Sequence, residues 1–283
     1  MNITILGAGA VGILTGAYLS RAGHRIYMQT RTDEQASVIQ QDGLRIGRER
    51  FKASAGRDLP LQEDAVIVTV KQYHLDDIIN KPRDVPSLFL QNGMGHVEKI
   101  RKRWDNALFG IVSHGVYRTG PNAAEHSGAG KIIIGGGRKH ILAQSLLAVD
   151  EPFSSEWTDD IDGEMRKKLL VNVVVNPLTV LYERKNHILL SDERANNEAQ
   201  QLFREAAPVL GFSVADWSFV ERMIELTREN RSSMLEDFLA GRELELEAIT
   251  GYVINQAEEK KMDVSFLKEI HTQLLHKADE RHE

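Results

Sequence analysis

The chain has 283 residues, 42% hydrophobic and 27% charged, a balance that belongs to folded globular chains and excludes a disordered or fibrous one. A formal net charge of −6 argues against a general nucleic-acid binder, which needs a basic face. With no cysteine, disulfides, thiolate zinc sites, iron–sulfur clusters and cysteine nucleophiles are excluded together.

At about 150 residues per domain the length predicts two domains. Gly7 cuts the apolar start Asn2–Leu6 short, and no basic segment precedes it, so no signal peptide is expected. No apolar run approaches the roughly 18 residues of a membrane span. The expectation is a cytoplasmic protein that engages neither membrane nor nucleic acid.

In chain order, Ile3–Leu6 reads as a buried strand, Val11–Ala22 as a helix closed by Gly23, and Arg25–Met28 as the next strand. Asp64–Val70, Ser87–Leu90 and Ala107–Val112 follow as further strands. Near-continuous apolar runs between helices predict a parallel sheet covered on both faces. Lys131–Gly137 reads as one more strand, added antiparallel near the domain's end.

From about Glu164 the pattern turns helical, over Glu164–Glu183, Asp192–Leu210, Trp217–Asn230, Glu243–Lys261 and Val264–Asp279. Asp216 and Asp263 stand at expected N-caps and Gly211 at a C-cap. The predicted plan is an α/β Rossmann-type dinucleotide-binding domain over 1–160 and an all-α domain over 161–283.

Gly7-Ala8-Gly9-Ala10-Val11-Gly12 is G-x-G-x-x-G. It follows a buried strand and opens a helix, the context that gives the pattern meaning. Gly7 allows the tight turn, Gly9 admits a pyrophosphate and Gly12 lets helix and sheet pack closely. The bland alternative is a tight turn without a ligand. An NAD site usually has an acid at the end of the second strand. This chain has Arg31 there, and a guanidinium can fork onto a 2′-phosphate, so NADP(H) is favoured. A plain surface arginine, with Asp33 two residues on, is the competing view.

Lys71 ends the strand Thr69-Val70-Lys71, and Asn92 follows another in Gln91-Asn92-Gly93-Met94-Gly95. Loops at the carboxyl ends of parallel strands border the ligand crevice. On the helix Lys168–Pro177, Lys168, Asn172 and Asn176 fall on one stripe of an otherwise apolar surface. They line a cavity or form a polar seam between helices. Pro177 is expected to bend or end that helix. The 10 histidines show no metal-type pairing on a helix; His114, at a strand end, reads as structural.

At these residues the chain resembles the ketopantoate reductases (2-dehydropantoate 2-reductases), nearly end to end. The resemblance rests on GAGAVG at Gly7–Gly12, Arg31, TVK at Thr69–Lys71, QNGMG at Gln91–Gly95, KKLLVNVVVNPLT at Lys167–Thr179, NRSSMLEDF at Asn230–Phe238 and the glutamates around Glu245. It implies NADPH-dependent reduction of 2-dehydropantoate to pantoate, on the way to pantothenate and coenzyme A. The family's catalytic lysine matches Lys168 and its active-site glutamate Glu245. Its substrate residues match Asn172, Asn176, Asn186 and Ser233, and Asn92 is shared by substrate and cofactor. Cofactor contacts carry over to Gly7, Ala8, Gly9, Ala10, Val11, Gly12, Arg31, Lys71, Val116 and Glu245. No metal is implied.

The chain departs from the family at Arg166, where a Trp is common, and at Thr250 in Ile249-Thr250-Gly251, where many members have Asn. It is also short between Gly137 and Glu164. In the implied mechanism Lys168 meets and protonates the developing alkoxide, and Glu245 orients it and offsets its desolvation. Glu243, Glu245 and Glu247 alternate, so only the resemblance singles out Glu245. The competing functions are a related NADP-dependent reductase or hydroxyacid dehydrogenase on another acid, and a non-catalytic NADPH sensor. The expected partner is a small 2-oxoacid. A homodimer is compatible with the chain, but no residue pattern demands one.

Overall fold

A computed structural model describes residues 1–60 and 62–281. The chain divides into two compact units, one of residues 1–91 and 96–162, the other of 92–95 and 163–283.

The first unit opens with β1 (Asn2–Leu6), buried from Ile3 onward. A strand without a solvent face has to lie inside a covered sheet. The elements that follow are α1 (Ala10–Arg21), β2 (Arg25–Gln29), α2 (Asp33–Asp42), β3 (Leu44–Ile46), β4 (Glu49–Phe51), β5 (Ser54–Gly56) and β6 (Ala65–Val68). After them come α3 (Asp76–Ile79), β7 (Ser87–Phe89), α4 (Val97–Arg101), β8 (Ala107–Val112), β9 (Gly115–Arg118), β10 (Ala123–Gly128), β11 (Gly130–Gly135), α5 (Ile141–Leu147) and β12 (Phe153–Trp157).

Eight strands form the main sheet in the order β12-β11-β8-β7-β6-β1-β2-β5. Its pairs are parallel except β11 with β8, so the expected antiparallel addition is present, and β12 extends it. The chain leaves β1 toward β2 on one side and later returns to β6 on the other. That reversal makes a switch point at the carboxyl ends of β1 and β6.

A second sheet, β4-β3-β10-β9, packs on α1 and was not anticipated. Between the sheets Tyr18 stacks on Phe153 at 5.0 Å, and its hydroxyl lies 3.0 Å from Nδ1 of His126. His126 Nε2 in turn lies 3.1 Å from His114 Nδ1. Burial holds His114 down at about 4, so this pair is a neutral hydrogen-bonding link within the core.

In the second unit α6 (Ile161–Tyr182) runs through Pro177. The helix does not end there. Val174, Val175, Leu178 and Val180 are all buried around the proline, and packing offsets its lost hydrogen bond. α7 (Ile188–Ser191) leads to α8 (Glu193–Val209), capped by Asp192, which accepts the Ala195 N–H at 2.9 Å. α9 (Trp217–Leu226) stops short of the expected Asn230. The backbone beyond it accepts from the Asn186 and His187 amides instead, at Asn230 O and Arg228 O.

α10 (Ser233–Leu239) is a further helix. The helix expected from Glu243 begins only at Leu246. It opens with a π-helical turn over Glu247–Gly251 and continues as α11 (Tyr252–Lys260). α12 (Ser265–Asp279) starts where the Glu205 carboxylate accepts the Phe266 and Leu267 amides.

Candidate active site

At the switch point of the first unit, Gly7 has φ +107°, a conformation that L side chains rarely adopt. A side chain at Gly12 would collide with the Gly7 carbonyl oxygen. Thr69, at the end of β6, donates its hydroxyl to that same carbonyl at 2.8 Å. Gln35 on α2 donates to Ala8 O at 2.9 Å and to Pro121 O at 2.7 Å. Thr69 and Gln35 therefore brace the turn from both sides. Sequence reasoning missed both, because neither belongs to the glycine pattern.

Gly9 is different: among the described residues a Cβ there would meet nothing within 4 Å, and none caps α1 with its side chain. The turn leaves open space in front of the first helix amides, the cradle that a pyrophosphate fills. The residues present fit a dinucleotide. Ala10 and Val11 begin the helix, and Val116 lies on β9 of the sheet packed against it.

β2 ends at Gln29, whose amide donates to Arg57 O at 3.1 Å. The residues that end the strand, Gln29-Thr30-Arg31-Thr32, include no acid. Asp33 lies 3.4 Å from the guanidinium of Arg57. Exposed Arg31 holds an Nη1 group 3.0 Å from Nε2 of His74, so that ring nitrogen accepts. Lys71 follows β6 and precedes the short turn Gln72–His74. The cations Arg31 and Arg57 thus flank the end of β2, suited to an extra phosphate.

The second unit brings Lys168, Asn92 and Glu245 together across a wide span of sequence. Lys168 Nζ donates to Asn92 Oδ1 at 3.0 Å, and Asn92 Nδ2 donates to Glu245 Oε2 at 3.1 Å. The two bonds fix the amide's orientation. Burial pulls Lys168 down to about 8, and the Glu245 carboxylate opposes that shift. Glu245 precedes the helix rather than riding on it, since helical structure begins at Leu246.

Gly93, at φ +78°, lets the Asn92 loop sit on the π-turn. A side chain there would collide with the Ala248 carbonyl oxygen. Asn172 lies one turn beyond Lys168 and is half-buried; Asn176, one turn further, is buried with Nδ2 unpaired among the described residues. Asn186 is also buried. Its amide donates to Thr227 O at 3.2 Å and to Thr227 Oγ1 at 2.9 Å, while Oδ1 finds no hydrogen bond among the described residues.

Ser233 is the exposed first residue of α10. Its buried neighbour Ser232 caps that helix and joins Thr179. Adjacent serines look alike in the sequence, and only the helix start separates their roles.

An open parallel sheet with a glycine-entered helix at its switch point, joined to a helical unit, puts the chain among the dinucleotide-dependent oxidoreductases. The family model described as "Ketopantoate reductase PanE/ApbA" matches residues 3–139, and its C-terminal counterpart matches 160–278. The chain belongs to the ketopantoate reductase family.

It is 35% identical over 288 residues to a 2-dehydropantoate 2-reductase of Bacillus subtilis (strain 168), spanning 95% of this chain and 94% of that one. A 2-dehydropantoate 2-reductase of Pyrococcus horikoshii is 30% identical over 279 residues, 91% of each chain. A crystal structure of a probable 2-dehydropantoate 2-reductase from Bacillus subtilis superposes with a TM-score of 0.89 at 31% identity, over 98% of this chain and 100% of that one. A ternary structure of D-mandelate dehydrogenase, at 22% identity and a TM-score of 0.86 over 99% of each chain, shares the fold. Among the described residues no helix is long and apolar enough to cross a membrane.

Proposed function

We infer that the chain is an NADP-dependent 2-dehydropantoate 2-reductase, making pantoate for pantothenate and coenzyme A synthesis in the cytoplasm. The family membership supports the reaction. The observation that carries the site assignment is the Lys168–Asn92–Glu245 hydrogen-bond chain.

Bound there, NADPH would be the source of the hydride for the ketone carbon. Gly7 to Gly12 would hold its pyrophosphate and Arg31 its 2′-phosphate, with Lys71, Val116, Asn92 and Glu245 as further contacts. As the carbonyl oxygen gains charge, the Lys168 ammonium stabilises it and then gives it a proton. A lysine brought down to about 8 is acidic enough to do this near neutrality while still mostly protonated. Asn92 holds the amine in register, and Glu245 keeps the cation favoured despite its burial.

The unpaired Asn176 amide is a donor suited to the substrate carboxylate, and the unpaired Asn186 oxygen an acceptor suited to its hydroxyl. Asn172 and Ser233 complete the polar lining. The test is NADPH oxidation on addition of 2-dehydropantoate. Tight NADPH binding without turnover on this or any other 2-oxoacid would overturn the assignment.

A further inference from the structure

The π-helical turn Glu247–Gly251 follows Glu245 after a single residue. Such turns cost regular hydrogen bonding and recur at functional sites. Here something must hold the wider turn open. Thr250 is fully buried and donates its hydroxyl to Leu246 O at 3.1 Å, the carbonyl that its own amide would take in an α-helix. Because that hydroxyl has one proton, the 2.7 Å contact between Thr250 Oγ1 and His271 Nδ1 must run from the ring N–H to the oxygen.

His271 therefore reaches from α12 to brace the π-turn. Its other nitrogen lies 3.5 Å from the Glu247 carboxylate, and that carboxylate covers Gly251, where a Cβ would come within 2.6 Å of it. Two parts of the active site depend on this turn. It begins next to Glu245, and the Ala248 carbonyl is the surface on which Gly93 of the Asn92 loop rests.

We propose that His271, acting through Thr250, is a positioning residue for the reduction: it locks the π-turn that sets Glu245 and Asn92 against Lys168. The proposal rests on Lys168 being the proton donor. His271 itself touches neither substrate nor cofactor in this scheme. Without the lock the turn relaxes toward an α-helix, moving Glu245 and the Ala248 carbonyl under Gly93. Lys168 then loses the carboxylate that offsets its burial.

The test compares purified wild type with His271→Ala, Thr250→Val, His271→Asn and Lys168→Ala. Each is assayed for NADPH affinity, melting temperature, and kcat for 2-dehydropantoate from pH 6 to about 10. Small misplacements of catalytic groups cost up to about 100-fold. His271→Ala should therefore lose about 10-fold or more in kcat, a larger change than in its NADPH affinity, and show its alkaline limb moved to lower pH. His271→Asn, which retains an N–H near the Nδ1 position, should restore both rate and limb.

Thr250→Val, nearly isosteric, should repeat the defect even if His271→Ala folds poorly. A lowered melting temperature with kcat and limb unchanged in either variant would make His271 merely structural and overturn the proposal. If Lys168→Ala turned over normally, the underlying site assignment would fall and the proposal with it. An inactive Lys168→Ala beside an unaffected His271→Ala would sink the proposal alone.

Discussion

The hydroxyl of Thr179 on α6 lies 2.7 Å from that of Ser232 at the start of α10, and the bond can run in only one direction. Thr179 donates its proton to Asn176 O at 2.9 Å, so Ser232 must donate to Thr179. The Ser232 oxygen meanwhile accepts the Leu235 N–H at 3.0 Å. One relay thus joins the backbone that carries Asn176 to the helix start that carries Ser233.

Ser232→Ala removes the helix cap and leaves Thr179 with a buried, unfilled acceptor. Equilibrium urea denaturation should show a loss of about 1–3 kcal/mol. The KM for 2-dehydropantoate should rise with it, since Asn176 and Ser233 lose their common anchor. Unchanged stability and KM would show the relay to be dispensable.

The pH profile follows from Lys168. Its pKa lies at about 8, below the ordinary lysine value, because burial outweighs the attraction of Glu245. Only the protonated amine donates, so kcat for reduction should hold below about 8 and fall as pH rises through it. Glu245→Gln removes the opposing attraction and should move that limb to lower pH. Lys168→Ala should lose about 10²–10³ in kcat while binding NADPH normally.

Lys168→Met separates stability from catalysis. A folded-state pKa below the unfolded one means that the charged amine destabilises the fold at pH 7, a penalty relieved as pH rises above about 8. An apolar chain of similar length should therefore raise the melting temperature at pH 7 and abolish turnover. A lowered melting temperature would show that the Asn92 bond outweighs desolvation.

The glycine turn gives a paired test. Gly9→Val adds atoms into open space, so the protein should fold with a normal melting temperature and lose NADPH binding by calorimetry. Gly12→Ala sets a methyl group against the Gly7 carbonyl, and should lower the melting temperature as well. If Gly9→Val binds NADPH like wild type, the pyrophosphate does not lie there.

Arg31→Ala should raise the KM for NADPH about 10-fold or more, the loss of one charge-assisted phosphate contact, and leave NADH nearly unaffected. Equal losses with both cofactors would remove Arg31 from the 2′-phosphate. Because Arg57 is near Asp33, Arg57→Ala is the control for a second cation at the same strand end.

What could be read from the sequence was local. Gly7 to Gly12 after an apolar strand, or an apolar helix bearing Lys168 and Asn176, are patterns within one element. β3 and β4, of three residues each, are too short to show an alternation. From spacing alone Glu243, Glu245 and Glu247 are equivalent, because the pattern starts the helix at Glu243 while the structure starts it at Leu246. The π-turn, held by long-range contacts to His271 and Gly93, decides which of them meets Asn92. Thr179 and Ser232 are 53 positions apart, and nothing in either segment alone announces the other.

Residues 92–95 belong to the helical unit although the chain on both sides of them belongs to the α/β unit, so the polypeptide changes units at three places rather than one. The halves are therefore poor cassettes for recombination. A chimera joined near residue 162 would set a relative's lysine and glutamate against this chain's own Asn92 loop, with Gly93 fitted to a foreign carbonyl. A working exchange has to transplant the tetrapeptide Asn92–Gly95 together with the C-terminal helices, as one inherited block split in the gene by the intervening strands.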